Sequence, residues 1–232
     1  MKATQVVLFD LYGTLVDVHT DEDNREVYQT LAQFLNYYRV FFGPEELARF
    51  YQEKTQKDLA ECSGPYAEID VFRVFEDILF KGRGQMPERA LVIWLARLFR
   101  SLTRTHLRLF PDTIPTLDRL QADYRLGIVS DAQWVYSEPE IRIVGLDRYF
   151  DNIIFSSRYL IRKPDPQLFV HALKAMHCSP EQAIYVGDNS EVDLAGPQAI
   201  GMPVLLINRQ GNPLELGVPV IQDLTQLSAF LE

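Results

Sequence analysis

Val6-Val7-Leu8-Phe9-Asp10-Leu11-Tyr12-Gly13-Thr14-Leu15-Val16-Asp17 opens on four apolar residues and then changes character, with a carboxylate, an aromatic, a glycine and a hydroxyl in close succession. A run that is apolar throughout, rather than alternating, suits a parallel strand covered on both faces. Four further runs have the same make-up, at 126–129, 153–155, 183–186 and 204–207. Segments of helical period (116–124, 166–176 and 193–200) separate the later ones, and 224–231 follows the last. This alternation predicts an α/β fold, a doubly wound parallel sheet.

The region from Asp17 to His106 reads differently. Within 23–41, Val27, Leu31, Phe34, Leu35, Tyr38 and Phe41 fall at three- and four-residue steps, the apolar stripe of a helix. Pro44-Glu45-Glu46 starts a second helix, with proline in the first turn and acids near the positive end of the dipole. Segments 68–80 and 87–106 add two more around a glycine-bearing loop at 81–84. The expectation is an all-helical insert over 18–106, between the two parts of an α/β core formed by 1–17 and 107–232. His19 to Asp23 would form the hinge and the first helix cap. Tyr37, Tyr38, Phe41 and Phe42 read mainly as core of the insert, with a substrate pocket as the alternative.

The 232 residues carry a formal charge of −9, with 47% hydrophobic and 24% charged residues. That balance suits a globular chain with a sizeable core and argues against a nucleic-acid partner, because no basic patch stands ready to neutralise phosphates. The arginines between Arg97 and Arg108 alternate with Leu and Phe as the wet face of a helix would. Cys62 and Cys178 are far apart and fit no metal-type spacing. No apolar stretch approaches the ~20 residues of a membrane span. Met1-Lys2 leads straight into a strand-like run without a leader, so the expected location is the cytoplasm. An aromatic-rich insert leaves a homodimer open.

Chemistry-bearing residues gather after the strands. Asp10 follows the first, Ser130-Asp131 the second and Asp188 the fourth, while Lys163 lies a few residues beyond the third. In an open parallel sheet the carboxyl ends share one edge, where ligands bind. One Asp after a strand is ordinarily a cap. Several, of these types and in this order, point to a common crevice.

"DLYGTLVD", "IVSD", "RKPDP" and "GDNSEVD" together resemble the four motifs of the haloacid dehalogenase-like hydrolase superfamily, and the helical insert resembles the small cap of one of its branches. The resemblance implies that Asp10 is a nucleophile that forms a transient acyl intermediate with a small-molecule substrate. Gly13 would permit a chain reversal, Thr14 would brace the turn or hold Asp10, Ser130 and the backbone after it, with Asp131, would grip the substrate, and Lys163 would steady the nucleophile. Asp10, Asp188 and Asp193, with Asp131 as a fourth acid, crowd one crevice, and like charges that close require a counter-charge. Oxygen ligands of this kind suit Mg²⁺, with the Tyr12 backbone carbonyl as a further ligand and Asp193 acting through water or another residue. The alternative is that the acid after the fourth strand is a helix N-cap.

Phosphatases of this superfamily usually carry a second aspartate, an acid/base, where this chain has Tyr12. The tyrosine, Val18-His19-Thr20 and Ile207-Asn208-Arg209 instead resemble the haloacid dehalogenases proper, in which a halide leaves without a proton. Tyr12 therefore points toward carbon–halogen cleavage and Asp188 toward metal-dependent phosphoryl transfer. The metal logic favours the latter, with a dehalogenase or a weakened binding module as alternatives.

Overall fold

The computed structural model describes residues 4–211 and 217–231. Met1 and Lys2, on which the expectation about a leader rests, lie outside them. Six parallel strands form the main sheet: β1 (Val6–Phe9), β4 (Arg125–Ser130), β5 (Asn152–Phe155), β6 (Ala183–Gly187), β7 (Val204–Ile207) and β8 (Val220–Ile221), in the order β5-β4-β1-β6-β7-β8. Register is set by pairs such as Phe9 with Ile128 on one side and with Val186 on the other. The five apolar runs are all strands. The edge strand β8 was not anticipated, because two residues give no periodicity to read.

Alternate residues of β1 face opposite sides. Val6 and Leu8 pack with Leu168, Phe169 and Ala172 of α8 (Pro166–Ala175), whereas Val7 and Phe9 join the core that continues into the cap. That two-sided burial is why the run lacks polar alternation. The remaining core helices are α5 (Thr113–Leu120), α6 (Trp134–Ile143), α7 (Ser156–Tyr159) and α9 (Ala195–Ala199).

The cap is built from α1 (Arg25–Asn36), α2 (Pro44–Glu61), α3 (Val71–Arg83) and α4 (Arg89–Thr103). Asn24, not the preceding acids, caps α1, its side chain accepting the Glu26 N–H at 3.0 Å. α1 ends at Asn36 rather than running to Phe41, because Arg39 takes φ 59° and turns the chain back. Tyr38 is half-buried and Phe42 buried, as expected, but Tyr37 is 89% and Phe41 72% exposed, so neither is core. α3 continues through the expected loop to Gly84, whose φ of 65° closes it.

The largest departure lies at the crossing between core and cap. The expected helix over 87–106 stops at Thr103, and the chain continues as β3 (Arg104–Leu109), antiparallel to β2 (Val16–Thr20). His19 and Thr20 therefore belong to a strand, not to a helix cap. The Leu spacing of α4 runs on into β3 and disguises the change of period. Only the presence of β2, 84 residues earlier by the Thr20–Arg104 pair, selects a strand there. The ribbon also brings His19 against His106, ring centroids 5.2 Å apart, with Asp17 reaching both.

Candidate active site

The sheet places the first and fourth motifs side by side. β1 lies between β4 and β6, and the connections from β1 and from β6 run to opposite sides, so the crevice at their carboxyl ends is a topological switch point. After Phe9 the backbone makes a tight loop, with Leu15 and Val16 N–H both bonded to Leu11 C=O and Gly13 N–H to Val16 C=O. Gly13 holds φ 83°, and a Cβ there would sit 2.2 Å from Asp188 Oδ2. Glycine is required on both counts.

Asp10 is buried at the end of β1. Lys163 Nζ comes within 3.2 Å of Asp10 Oδ1 and 2.7 Å of Asp193 Oδ1. Its approach to Asp10 is that of an ion pair, not of an aligned hydrogen bond, so Oδ1 is a buried oxygen without a directed donor. Asp193, fully buried, is satisfied differently. Its Oδ1 accepts from Lys163 Nζ and from Tyr185 O–H at 2.9 Å, and its Oδ2 accepts the Asn189 N–H at 2.9 Å. A Cβ on Gly187 would lie 2.3 Å from that carboxylate, so the strand end must be glycine for Asp193 to pack.

Asp188 lies on the open side, its Oδ1 accepting from Thr14 Oγ1 at 3.0 Å. Thr14 therefore holds Asp188, not Asp10. Ser130, buried at the last position of β4, lies beside Asp10 and helps stabilise its charged form. Asp131 accepts the Lys163 backbone N–H at 2.8 Å and so anchors the loop that delivers the lysine. The Ala132 N–H, one of the backbone groups expected to face substrate, is donated to Ser156 Oγ at 2.9 Å.

Electrostatics follow this crowding. Burial raises the Asp10 pKa, with Lys163 opposing and Asp193 reinforcing the shift. Desolvation lifts Asp188 to about 6, helped by the charges of Asp10 and Asp193. Asp131 is likewise lifted to about 6 by desolvation, with Lys163 opposing. Burial works against the ammonium of Lys163, but Asp10, Asp193 and Asp131 more than offset it and raise its pKa. One lysine faces four acids. Asp10, Asp188 and Asp193 each offer an oxygen within 4.8 Å of the others. Hard oxygen donors, a negative excess and an orphaned Asp10 oxygen together fit a divalent cation.

A family model for haloacid dehalogenase-like hydrolases matches residues 4–201. The chain belongs to this family. Among its relatives, glyceraldehyde 3-phosphate phosphatase of Methanopyrus kandleri is 30% identical over 57% of this chain, a match spanning 58% of that protein. (S)-2-haloacid dehalogenase 4A of Burkholderia cepacia is 26% identical over 93% of this chain and 87% of its own. The crystal structure of 2-haloacid dehalogenase from Pseudomonas syringae superposes with a TM-score of 0.70 at 24% identity, covering 98% of both chains, which establishes the shared fold.

Within this member of the haloacid dehalogenase-like family, Tyr12 has partners that the sequence did not suggest. Its hydroxyl donates to Glu140 and accepts from Ser137 Oγ at 2.8 Å. Glu140, on α6, is 2% exposed and receives Arg100 through two bonds (2.7 and 3.1 Å) and Arg104 through one (3.1 Å). Arg97 Nε donates to Val135 C=O. Arg97, Arg100 and Arg104 are thus a cap-to-core fastening, which corrects the solvated-face reading for them, whereas Arg108 is exposed as that reading expected. Burial opposes the Glu140 charge, but the Arg100 bond and charge more than offset it, and its pKa is lowered. A buried carboxylate requires cationic partners, but α6 also carries Glu138 and Arg142, so its sequence does not mark Glu140 as the buried acid.

Tyr185 was missed as well. A buried tyrosine within an apolar strand needs a partner for its hydroxyl, here Lys163, Asp193 and Val129 C=O. Arg209, just beyond β7, donates to Thr14 C=O at 2.6 Å and pairs with Asp112, bracing the loop that follows Asp10. It borders a cleft of about 560 Å³ that reaches Gly13 and Asp188. No helix among the described residues is long and apolar enough to cross a membrane.

Proposed function

We propose that this chain is a Mg²⁺-dependent phosphatase-type hydrolase of small phosphorylated metabolites, working through an aspartyl-phosphate on Asp10. The observation that carries the reading is the Asp10–Asp188–Asp193 cluster, whose lysine is already bonded to Asp193 and leaves Asp10 Oδ1 without an aligned donor. Asp10, Asp188 and the Tyr12 backbone carbonyl would hold Mg²⁺, and Asp193 would support it through Lys163 and the Asn189 backbone. The bound cation supplies charge for the transferring phosphoryl oxygens. Lys163 holds the Asp10 carboxylate in its ionised, nucleophilic form. Ser130 and Asp131 at the end of β4 orient the phosphoryl group, Thr14 fixes Asp188, and Gly13 keeps the approach clear. On this reading 1–17 and 107–232 form the catalytic core and 18–106 the cap that encloses the substrate. The named activities of the phosphatase relatives are consistent with this class of reaction.

The test is inorganic phosphate release from small phosphate esters and anhydrides. Release that depends on Mg²⁺, stops in chelator and is lost in Asp10→Asn supports the assignment. Undiminished activity in excess chelator overturns it.

Tyr12 and the match to the Burkholderia dehalogenase over nearly the whole chain favour one other reading, hydrolysis of a 2-halo acid through an aspartyl ester. Chloride release from a 2-chloro acid without added metal, in a preparation that frees no phosphate, would establish it instead.

A further inference from the structure

Building on the phosphoryl-transfer reading, we propose that the site is restricted to aryl and acyl phosphates, whose leaving groups depart as stable anions, and that Tyr12 is a positioning residue. The argument rests on where the hydrogens around Asp10 are directed. The Tyr12 hydroxyl donates its one proton to Glu140 and accepts from Ser137, both on α6, and the Arg100 guanidinium lies 5.8 Å over its ring. Glu140 is itself gripped by Arg100 and Arg104 of the cap. The phenol is therefore drawn into the seam between α6 and α4, where it ties the nucleophile loop to the core–cap fastening.

The other donors of the site are committed too. Thr14 Oγ1 donates to Asp188, Lys163 Nζ serves Asp193 and Tyr185, and the buried Ser130 supports the charged form of Asp10. The Asp131 carboxylate anchors the Lys163 backbone. An alkoxide leaving group requires a proton as its bond to phosphorus breaks, and lacking a positioned donor slows such a step by ~10²–10⁴-fold. A phenolate or a carboxylate needs none.

The chemistry balances without such a donor. An Asp10 oxygen bonds to phosphorus while the bond from phosphorus to the leaving oxygen breaks. The electron pair stays on that oxygen, which leaves as an anion. Water then attacks phosphorus, the bond to Asp10 breaks, and the carboxylate is returned with inorganic phosphate, the water's proton passing to phosphate and solvent.

The experiment is a leaving-group series measured with Mg²⁺: p-nitrophenyl phosphate, phenyl phosphate, acetyl phosphate and glycerol 2-phosphate. The readout is kcat/KM, which reports transfer to Asp10, whereas kcat is levelled by the common breakdown of the phosphoenzyme. We expect p-nitrophenyl and acetyl phosphate to exceed glycerol 2-phosphate by ~10²-fold or more. Tyr12→Phe keeps the ring and removes the hydroxyl, and it should shift every member by the same factor, leaving the dependence on leaving group unchanged. Glycerol 2-phosphate reacting within about tenfold of p-nitrophenyl phosphate overturns the inference, because a positioned acid flattens that dependence. Selective loss of the glycerol ester in Tyr12→Phe or Asp131→Asn also overturns it, by identifying that residue as the donor. If a variant does not fold, the wild-type series decides alone. Release from no member overturns the phosphoryl-transfer reading itself, whereas equal release from all overturns only the leaving-group restriction.

Discussion

Two charge clusters lie a few residues apart along the loop after β1, and they are balanced in opposite ways. Around Asp10, four carboxylates (Asp10, Asp131, Asp188 and Asp193) share Lys163, and burial and mutual repulsion push the pKa values of Asp10, Asp131 and Asp188 upward. Around Tyr12, Glu140 has two arginines and a phenol to itself, and its pKa is pushed down. The second cluster is complete within the chain. The first is left with a negative excess, which is the arrangement expected of a place where something cationic is to bind. One cluster fastens the cap to the core, and the other is held open for chemistry.

If that division is right, removing a member of each should fail in different ways. Asp10→Asn should lower phosphate release by on the order of 10⁴-fold or more, as for loss of a nucleophile elsewhere. It should also leave the melting temperature unchanged or raised, since it removes a charge from a crowded site. Steady-state assay and a thermal melt of the same sample check both halves. Glu140→Ala should do the reverse. Two cap arginines would lose their buried partner, and stability should fall by about 3–5 kcal/mol in urea unfolding. Comparable stability losses in both variants would erase the contrast.

The sequence made the first cluster legible and the second almost invisible. Asp10, Ser130, Lys163 and Asp188 each follow a strand whose apolar run is unmistakable, so topology alone brought them to one edge. Thr14 and Asp131 were found, but their partners were not, because a hydroxyl or carboxylate in a loop does not announce which neighbour it will meet. Glu140, Arg100 and Arg104 come from α6, α4 and β3. Their pairing depends on how the cap docks, and α6 itself was not foreseen because Pro139 interrupts its pattern. The β2–β3 ribbon escaped for the same reason, since strand pairing across the whole cap overrides the helical spacing that α4 carries forward.

Acidity offers a third way to sharpen the comparison. The folded pKa of Asp188, about 6, lies above the ordinary carboxylate value of 3.8, so the folded chain holds that proton more tightly than the unfolded chain does. Asp131 behaves alike. Without metal, these groups make the fold most stable below the ordinary carboxylate range, and their contribution is lost as pH rises through about 6. Glu140 opposes this, because its lowered pKa stabilises the fold above the ordinary range and that contribution is lost as the pH falls through the lowered value. Metal-free melts should therefore show stability declining between about pH 4 and 6 and levelling off above. Saturating Mg²⁺, which binds the ionised acids, should remove that decline, and its affinity should drop about tenfold per pH unit below about 6. Calorimetric titration at three pH values measures the latter. A Mg²⁺ affinity independent of pH would mean that Asp188 is not a ligand.

The smallest expected effect separates the two arginines of the complete cluster. Arg100 is 12% exposed and meets Glu140 with two parallel bonds, the geometry in which guanidinium is most effective. Arg104 is 22% exposed, stands at the start of β3 and makes one bond to the same carboxylate. Removing Arg104 leaves Glu140 still paired with Arg100 and still accepting from Tyr12, and water can reach the vacated position. Arg104→Ala should therefore cost only about 1–2 kcal/mol. Arg100→Ala, which strips the carboxylate of its bidentate partner, should approach about 3 kcal/mol. The double variant distinguishes a shared charge from two independent bonds. If Glu140 is the common hub, the loss in Arg100→Ala/Arg104→Ala should exceed the sum of the two singles, since only then is the buried charge left to Tyr12 alone.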